Sequence, residues 1–595
     1  MQIANSKCPL GAVGLMALFL AAGSLTLPAA EPTRVAAVTL SWADKDRTLA
    51  HTMEMLGRAA EQRAQIVCLP QECVPTDGGA AATAALEAIR QAAAKAKFYV
   101  VANLREQADG KTFLTSYLIG PDGAVAGKYR KSHRLPGEPC ALGDELPVFD
   151  TPFGKVGLMI GTDLYWPEVP LVLALKGAEL VLCSSAPEPV PQSAPTDVLM
   201  RTRAFDDHVT FACANYAGDL PYLCSNHPTY AGSPLGRGCV IDRSGIVVAD
   251  TGIRAGVAVA AVDLSRPTDL YQLTFHEDRS LFRDLVERDI KPLAAKPQKR
   301  RITVSIAQVF ANHGPNPNPD SEFAKILDAA GARGSDVILM SEFGFATDTP
   351  AAEKTFAMVA EKARKYRSYI IIGGLRDPAM PGKNGKATSW AYLWDRAGQV
   401  IGKYRISQYG GSRELPVFAT DFGVIGIILC GDIYSQEITR AMALRGAEIV
   451  FCPSQSWGPS GVFNRSMQET RALDNGVWMA AAHFPMSDIS QRSYVIDPYG
   501  QVVTSTPYWS EGVATTEIDL NAGRVWFASS DKPGAAGKPG YLSAYYPKFV
   551  PERRNDFRAV LLAGRRPELY RPIIENTLAG RDTPLELKDR MGAPR

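Results

Sequence analysis

Cys430 closes the apolar run Gly426-Ile427-Ile428-Leu429 and is followed by Gly431-Asp432, where the chain leaves a strand and turns toward a helix. Exposed backbone donors at a helix start favour a thiolate, so a thiol held there is a candidate nucleophile. The plain alternative for a cysteine after a leucine is a small buried hydrophobe. Glu342 ends a second apolar run, Val337-Ile338-Leu339-Met340-Ser341, and offers a carboxylate suited to accepting a thiol proton. Earlier in the chain, Glu72 follows Leu69-Pro70-Gln71. Lys131 follows Gly127-Lys128-Tyr129-Arg130, with His133 two residues on. Gly161 stands in Leu158-Met159-Ile160-Gly161-Thr162-Asp163. Taken singly, a glutamate at a strand end is ordinarily solvated and a lysine after a strand is ordinarily surface charge.

These positions are related by an internal repeat. Leu175-Lys176-Gly177-Ala178-Glu179-Leu180-Val181-Leu182-Cys183 recurs as Leu444-Arg445-Gly446-Ala447-Glu448-Ile449-Val450-Phe451-Cys452, an offset of 446 − 177 = 269. Glu145-Leu146-Pro147-Val148-Phe149 recurs as Glu414-Leu415-Pro416-Val417-Phe418 at the same offset. Gly127-Lys128-Tyr129-Arg130 recurs as Gly402-Lys403-Tyr404-Arg405, and Thr202-Arg203-Ala204 as Thr470-Arg471-Ala472. The order is the same in both copies. Between them, the proline-bearing basic stretch 291–301 reads as a linker. The expected domains are therefore 34–290 and 302–595, the second carrying a C-terminal extension.

The elements that must position these residues follow from periodicity. Each copy opens on a buried-strand pattern, Val35-Ala36-Ala37-Val38-Thr39-Leu40 and Ile302-Thr303-Val304-Ser305-Ile306-Ala307. A helix follows, with Leu49, Met53, Leu56 and Ala60 on one face in the first copy and Phe323, Ile326, Leu327 and Ala330 in the second. Then come Gln65-Ile66-Val67-Cys68-Leu69 and Asp336-Val337-Ile338-Leu339-Met340, a second helix, and Phe98-Tyr99-Val100-Val101-Ala102 and Tyr369-Ile370-Ile371-Ile372-Gly373. Strands alternating with amphipathic helices predict a layered α/β domain with sheets sandwiched inside helices.

In joint order these segments resemble the nitrilase superfamily of carbon–nitrogen hydrolases. That family carries a strand-end Glu, a Lys in Tyr-Arg-Lys-x-His-Leu, and a nucleophile in Cys-Tyr-Asp-x-x-Phe-Pro-Glu. The matches are Glu72, Tyr129-Arg130-Lys131-Ser132-His133 and Asp163-Leu164-Tyr165-Trp166-Pro167-Glu168, then Glu342, Tyr404-Arg405 and Cys430-Gly431-Asp432. Arg565-Arg566-Pro567-Glu568-Leu569-Tyr570 is similar to the family's C-terminal segment. The resemblance implies two tandem four-layer α-β-β-α sandwiches packed as an internal pseudo-dimer. It also implies attack of a thiolate on an amide, carbamoyl or nitrile carbon of a small molecule, with the Glu as proton acceptor and the Lys as oxyanion donor. No metal or organic cofactor is implied.

Neither copy has the full set. The first places Gly161 at the cysteine position beside Thr162 and keeps Glu72 and Lys131. The second keeps Glu342 and Cys430 but has Ile406 where Lys131 stands, and Gln408 where His133 stands. The stretch to the shared Phe is also shorter in the second copy, 418 − 406 = 12 against 149 − 131 = 18, and omits a counterpart of Glu138, which resembles a family carboxylate that places the Lys. Lys403 is a candidate substitute donor, though it matches Lys128, and Cys140 a candidate displaced nucleophile. The readings are an exported carbon–nitrogen hydrolase working through Cys430, or an inactive nitrilase-like protein that binds a ligand or partner. An acyltransferase of the lipoprotein-modifying kind also resembles this fold, but carries several membrane spans.

Composition narrows the rest. In 595 residues, 64 Lys and Arg against 62 Asp and Glu give a net charge of +2, which argues against nucleic acid as a partner. Seven histidines, no two at ligand spacing, argue against a histidine metal site. Residues 1–30 contain the uncharged stretch from Cys8 to Ala30 and read as an export signal, with an uncleaved anchor as the alternative. Cys68, Cys183, Cys213, Cys239 and Cys452 are expected to be buried. Cys73, Cys140 and Cys224 fall in likelier loops where export allows a disulfide. Association with a second copy stays open.

Overall fold

The structure is a computed structural model. It describes residues 31–41, 48–135, 138–186, 196–217, 237–252, 254–264, 279–309, 319–342, 350–381, 387–407, 412, 414–455, 461–484, 492–508, 510–521, 525–528 and 554–575. The expected signal segment, Cys224 and Gln408 lie outside these.

The first copy begins with β1 (Thr33–Ser41), α1 (Leu49–Glu61), β2 (Ile66–Cys68) and α2 (Ala80–Ala96). Then follow β3 (Tyr99–Ala108), β4 (Lys111–Ile119) and β5 (Val125–Arg130). β1, β2 and β3 are parallel neighbours, and β4 and β5 are added as antiparallel hairpin strands. The second half consists of β6 (Val148–Thr151), β7 (Gly154–Ile160), α3 (Glu168–Leu175), β8 (Leu180–Ser184), α4 (Thr196–Asp207) and β9 (Thr210–Ala217). β10 (Cys239–Ile241) and β11 (Val247–Asp250) extend that half, and β12 (Gly256–Val262) returns to pair with β1. The two half-sheets touch where β1 meets β9, at Thr39–Ser41 opposite Asn215–Ala217. The second copy keeps the halves apart, as two six-stranded sheets.

Buried strands explain the sequence pattern. β2 and β8 are covered on both faces, so they read as continuous apolar runs rather than alternating ones. Met55, Leu56 and Ala59 of α1, with Ala85, Ile89 and Ala93 of α2, pack on the outer face of the first half-sheet. The inner faces of both half-sheets meet in a core containing Val101, Leu118, Leu158 and Leu182. That core continues through α3 and α4 into the second copy, which makes the molecule two four-layer α-β-β-α sandwiches joined back to back.

The join is an internal pseudo-dimer, isologous in the sense that each copy offers the same surface to the other. The second copy's counterpart of α4 is α5 (Gly461–Asn475). Arg203 of α4 donates to both carboxylate oxygens of Asp474 at 2.8 and 2.5 Å, and Arg471 of α5 donates to both of Asp206 at 2.6 and 2.9 Å. Thr470 and Thr202 bond each other at 3.0 Å between these pairs. Glu168 accepts from Arg440 at 2.8 Å and from Arg565 at 3.3 Å, while its counterpart Glu437 accepts from Arg279 at 2.8 Å. The segments that follow each sandwich cross to the other copy. Asp284 pairs with Arg445, and Tyr570 reaches His133 at 2.6 Å. The basic stretch read as a linker lies along the second copy, with Arg300 on Glu448 and Lys299 on Asp336.

Burial alone would raise the Glu168 carboxyl, but Arg440 and Arg565 outweigh it and hold it down at about 2. A carboxylate depressed by folding contributes stability that is complete above its unfolded value and is lost as pH falls through its folded value. The protein should therefore lose stability between about pH 5 and pH 2, this group alone accounting for about 3 kcal/mol. Glu168→Gln should be less stable at pH 7 and show a flatter acid limb. Urea midpoints across that range test this, and an equally steep limb in the variant would remove Glu168 as the source.

Candidate active site in the second copy

The chain reaches Cys430 from β13 (Val424–Ile427), and Cys430 opens a 3-10 turn, Cys430–Tyr434. Its φ is +46°, in the left-handed region that β-carbon-bearing residues avoid. Asp432 fixes the turn from within. Its buried carboxylate accepts from the Leu429 N–H at 3.1 Å, the Tyr404 hydroxyl at 2.7 Å, and the Ser407 N–H and hydroxyl at 3.1 and 2.6 Å. The first copy builds the same turn at Gly161–Tyr165, with φ +47° at Gly161 and Asp163 accepting from Ile160, Tyr129 and His133. Gly161 adopts this backbone without steric cost, whereas Cys430 adopts it against one.

Glu342, at the end of the strand Val337–Glu342, meets the thiol. It is buried, and its carboxylate is hydrogen-bonded to the Cys430 side chain. Ser389 Oγ donates to Oε1 at 2.9 Å and the Gln455 N–H to Oε2 at 3.2 Å. Burial raises the Glu342 carboxyl above its ordinary range, against the lowering effect of the Cys430 and Ser389 bonds. A raised carboxylate is a better proton acceptor at neutral pH, and here it is already bonded to the group that must lose the proton. Ser389 and the Gln455 N–H belong to no motif in the sequence. They come to the site because neighbouring strands end beside Glu342.

The lysine position is filled by Ile406. Its N–H donates to the Ser389 carbonyl at 3.0 Å, as the Lys131 N–H donates to that of Leu114 at 2.9 Å, so the two occupy the same place in the fold. Ile406 packs against the core. Lys403 does not take over. It is exposed and lies over the outer ring of Tyr392, 5.1 Å from its centroid, while Tyr404 beside it points inward to Asp432. Alternation along the strand separates the two faces.

In the first copy the geometry differs from expectation at the glutamate. Gln65 N–H bonds Arg34 O and Asp336 N–H bonds Thr303 O, both at 2.8 Å, so these two residues are equivalent. Six residues on, 71 − 65 = 342 − 336, the match to Glu342 is Gln71, not Glu72. The Gln71 N–H goes to Ser185 O and the Glu342 N–H to Ser454 O, which are themselves equivalent. Gln71 is buried and its side-chain oxygen has no hydrogen-bond partner among the described residues, while Glu72, at φ +50°, gives its carboxylate to Arg105 at 2.5 Å. Lys131 is fully buried and donates to Glu138 at 3.2 Å, and Thr162 donates to both Glu138 oxygens at 3.0 Å. His133 is buried and held neutral, its imidazole pushed down to about 3 by burial. Cys140 is buried beside Lys131, yet its thiol is pushed up to about 11 by burial, which leaves it without thiolate character. Cys73 and Cys140 are both free thiols.

Comparison with known proteins settles the family. The profile for carbon-nitrogen hydrolases matches residues 34–272 and 305–527. The chain belongs to the carbon-nitrogen hydrolase family. It is 31% identical over 243 residues to the omega-amidase NIT2-A of Xenopus laevis, a match covering 37% of this chain and 84% of that protein. Human omega-amidase NIT2 is 27% identical over 261 residues, covering 40% of this chain and 91% of the relative. Among solved structures, Saccharomyces cerevisiae Nit3 is 26% identical with a TM-score of 0.34, covering 39% of this chain and 90% of the yeast protein. In this carbon-nitrogen hydrolase, no group of His, Cys, Asp and Glu among the described residues is placed to hold a metal.

Cys430 is half-buried, whereas the other described cysteines are buried. It should be the fastest of them to alkylate in the native protein, and Glu342→Gln should slow it. Brief iodoacetamide treatment followed by peptide mass spectrometry tests both; labelling of Cys140 ahead of Cys430 would reverse the assignment.

Proposed function

We propose that the second copy hydrolyses a small non-peptide amide, carbamoyl or nitrile compound through Cys430. The observation that carries this is the Cys430–Glu342 hydrogen bond, made by a thiol in a left-handed turn to a buried, raised carboxylate. In this reading Glu342 takes the thiol proton as the sulfur attacks the substrate carbon. Glu342 passes that proton to the nitrogen: an amide or carbamoyl nitrogen leaves and a thioester remains, whereas a nitrile nitrogen stays in the thioimidate until a first water expels it as ammonia. Water then opens the thioester, its proton passing through Glu342 to the departing thiolate. The relatives are named as amidases, which favours an amide among the three substrate classes. The oxyanion lacks a lysine, because Ile406 stands there. Losing one such donor costs about 10²–10³ in turnover where measured, so slow rather than absent hydrolysis is expected. The first copy keeps Lys131 but has Gln71 and Gly161 in place of base and nucleophile, and we assign it a ligand-holding role without turnover. Residues 1–30 support export, with cleavage or anchoring as the two outcomes.

The second reading, an inactive binding protein, is favoured by one observation, the packing of half-buried Ile406 against the core where the donor should stand. Ammonia release from a panel of amides, carbamoyl compounds and nitriles separates the two. Release should vanish in Cys430→Ala and survive Lys131→Ala. Ile406→Lys should raise it by at least roughly tenfold, a fraction of what an oxyanion donor supplies. Release that survives Cys430→Ala excludes the thiol mechanism, and no release by wild type or by Ile406→Lys favours the binding protein.

A further inference from the structure

The turn that carries Cys430 is held from outside by the other copy. Arg471 donates through Nη2 to the Ile433 carbonyl at 3.0 Å, three residues past Cys430, and the same guanidinium is gripped by both oxygens of Asp206. Asp206 belongs to the first copy, and both side chains are buried. A second strut runs alongside: Gln436, at the start of the helix after the turn, donates to Asp207 of the first copy at 2.8 Å.

The mirror arrangement exists at the first copy's turn. Arg203 bonds the Leu164 carbonyl at 3.0 Å and is gripped by Asp474, so the Gly161 turn has the same clamp. Its second strut is a different one: the counterpart of Gln436 is Pro167, 436 − 167 = 269, which has no side-chain donor, and the next residue, Glu168, is held by Arg440 of the second copy at 2.8 Å. The counterpart of Asp207 is Asn475, whose amide turns back to the Arg471 carbonyl at 2.8 Å. What separates the two clamps is the residue each turn opens on: a glycine at 161, and at 430 a residue whose β-carbon makes the left-handed backbone strained.

We propose that Asp206 of the first copy is a positioning residue for Cys430 of the second, acting through Arg471 and the Ile433 carbonyl to keep the turn wound and the thiol against Glu342. The chain of contact is continuous: Asp206 carboxylate, Arg471 guanidinium, Ile433 carbonyl, Cys430 backbone. A left-handed residue with a Cβ persists only where its surroundings over-determine it. Without the anion, Arg471 is a buried unpaired charge and is drawn from the carbonyl toward any other acceptor. The turn is then free to relax toward ordinary backbone, which swings the thiol away from its carboxylate. At Gly161 the same loss releases no strain. In this arrangement the first copy contributes to chemistry in the second without touching substrate, an inference that rests on the catalytic reading only in calling Cys430 the nucleophile.

The mirror pair supplies the control. Asp206→Asn and Asp474→Asn each remove one buried bidentate anion from the same interface, so a purely structural role predicts equal effects. Positioning predicts that Asp206→Asn slows iodoacetamide alkylation of Cys430 by roughly tenfold, equivalent to about 1.4 kcal/mol. It also predicts a changed pH–rate profile for that labelling, while Asp474→Asn stays within about twofold of wild type on the same scale. If either Asn variant lacks a cooperative thermal transition, Asp206→Glu and Asp474→Glu, which keep the charge but displace it, replace the pair. Equal slowing by both, no slowing by Asp206→Asn, or faster labelling in it overturns the proposal. The ratio between the two variants is read whatever the absolute rate, so a sluggish wild-type Cys430 counts against the catalytic reading and leaves this comparison intact.

Discussion

A strand that must end in a left-handed residue governs this molecule. At positions 161 and 430 the chain leaves a central strand and immediately enters a 3-10 turn, at φ +47° and +46°. The sharp reversal requires a backbone that L-residues resist, and at 430 it brings the side chain to the strand end that bears Glu342. Everything near the turn serves to hold it. A buried aspartate satisfies the strand-end N–H groups, a tyrosine from a hairpin strand braces the aspartate, and an arginine from the interface helix takes the turn's carbonyl. The two copies share this scaffold down to equivalent bonds, although they no longer share the chemistry it was shaped to present.

The losses in the two copies are of different kinds. The first has Gln71 and Gly161 where the second has Glu342 and Cys430, and holds the buried cation Lys131 with its carboxylate Glu138. Glycine at 161 relaxes the strain, so that turn is stable without the side chain it used to present. The second has kept thiol and carboxylate and given up the cation. A buried lysine needs an anionic partner. With the Glu138 loop shortened away, a lysine at 406 would have lost that partner, and an isoleucine packed on the core is the physically cheaper occupant.

Much of this was legible before any coordinates. The repeat, the strand–helix alternation and the ordered motifs suffice for two layered α/β sandwiches, because buried parallel strands leave continuous apolar runs that survive divergence. The equivalence of positions 161 and 430 was legible for the same reason, being pinned by Asp163 and Asp432. The first-copy glutamate was not read correctly. Leu-Pro-Gln-Glu offers a carboxylate one residue late, and the eye takes residue type over count. A gapless match of Gln65-Ile66-Val67-Cys68-Leu69 to Asp336-Val337-Ile338-Leu339-Met340 already sets Gln71 opposite Glu342. Lys403 needed the structure, since only the inward Tyr404 fixes which face the lysine takes. The Thr-Arg-Ala repeat was visible, but nothing in one copy's sequence says that Arg471 is answered by an aspartate from the other, because that contact is made across a symmetry axis and not along the chain.

That axis accounts for the persistence of a half lacking base and nucleophile. Arg203, Asp206, Arg471, Asp474, Glu168 and Arg440 are all buried, and each guanidinium among them finds its carboxylate across the interface. Deleting one copy would expose the other's apolar helical face to water, a loss of burial that a single sandwich cannot make up within its own core. The tails add to this by crossing over, so that Tyr570 closes on His133 and Arg279 on Glu437. On the proposed reading, selection on the second site is thereby enough to retain the entire first sandwich, whatever becomes of the first copy's own pocket. Its strand ends are then free to drift to Gln71 and Gly161, while its interface helix is not.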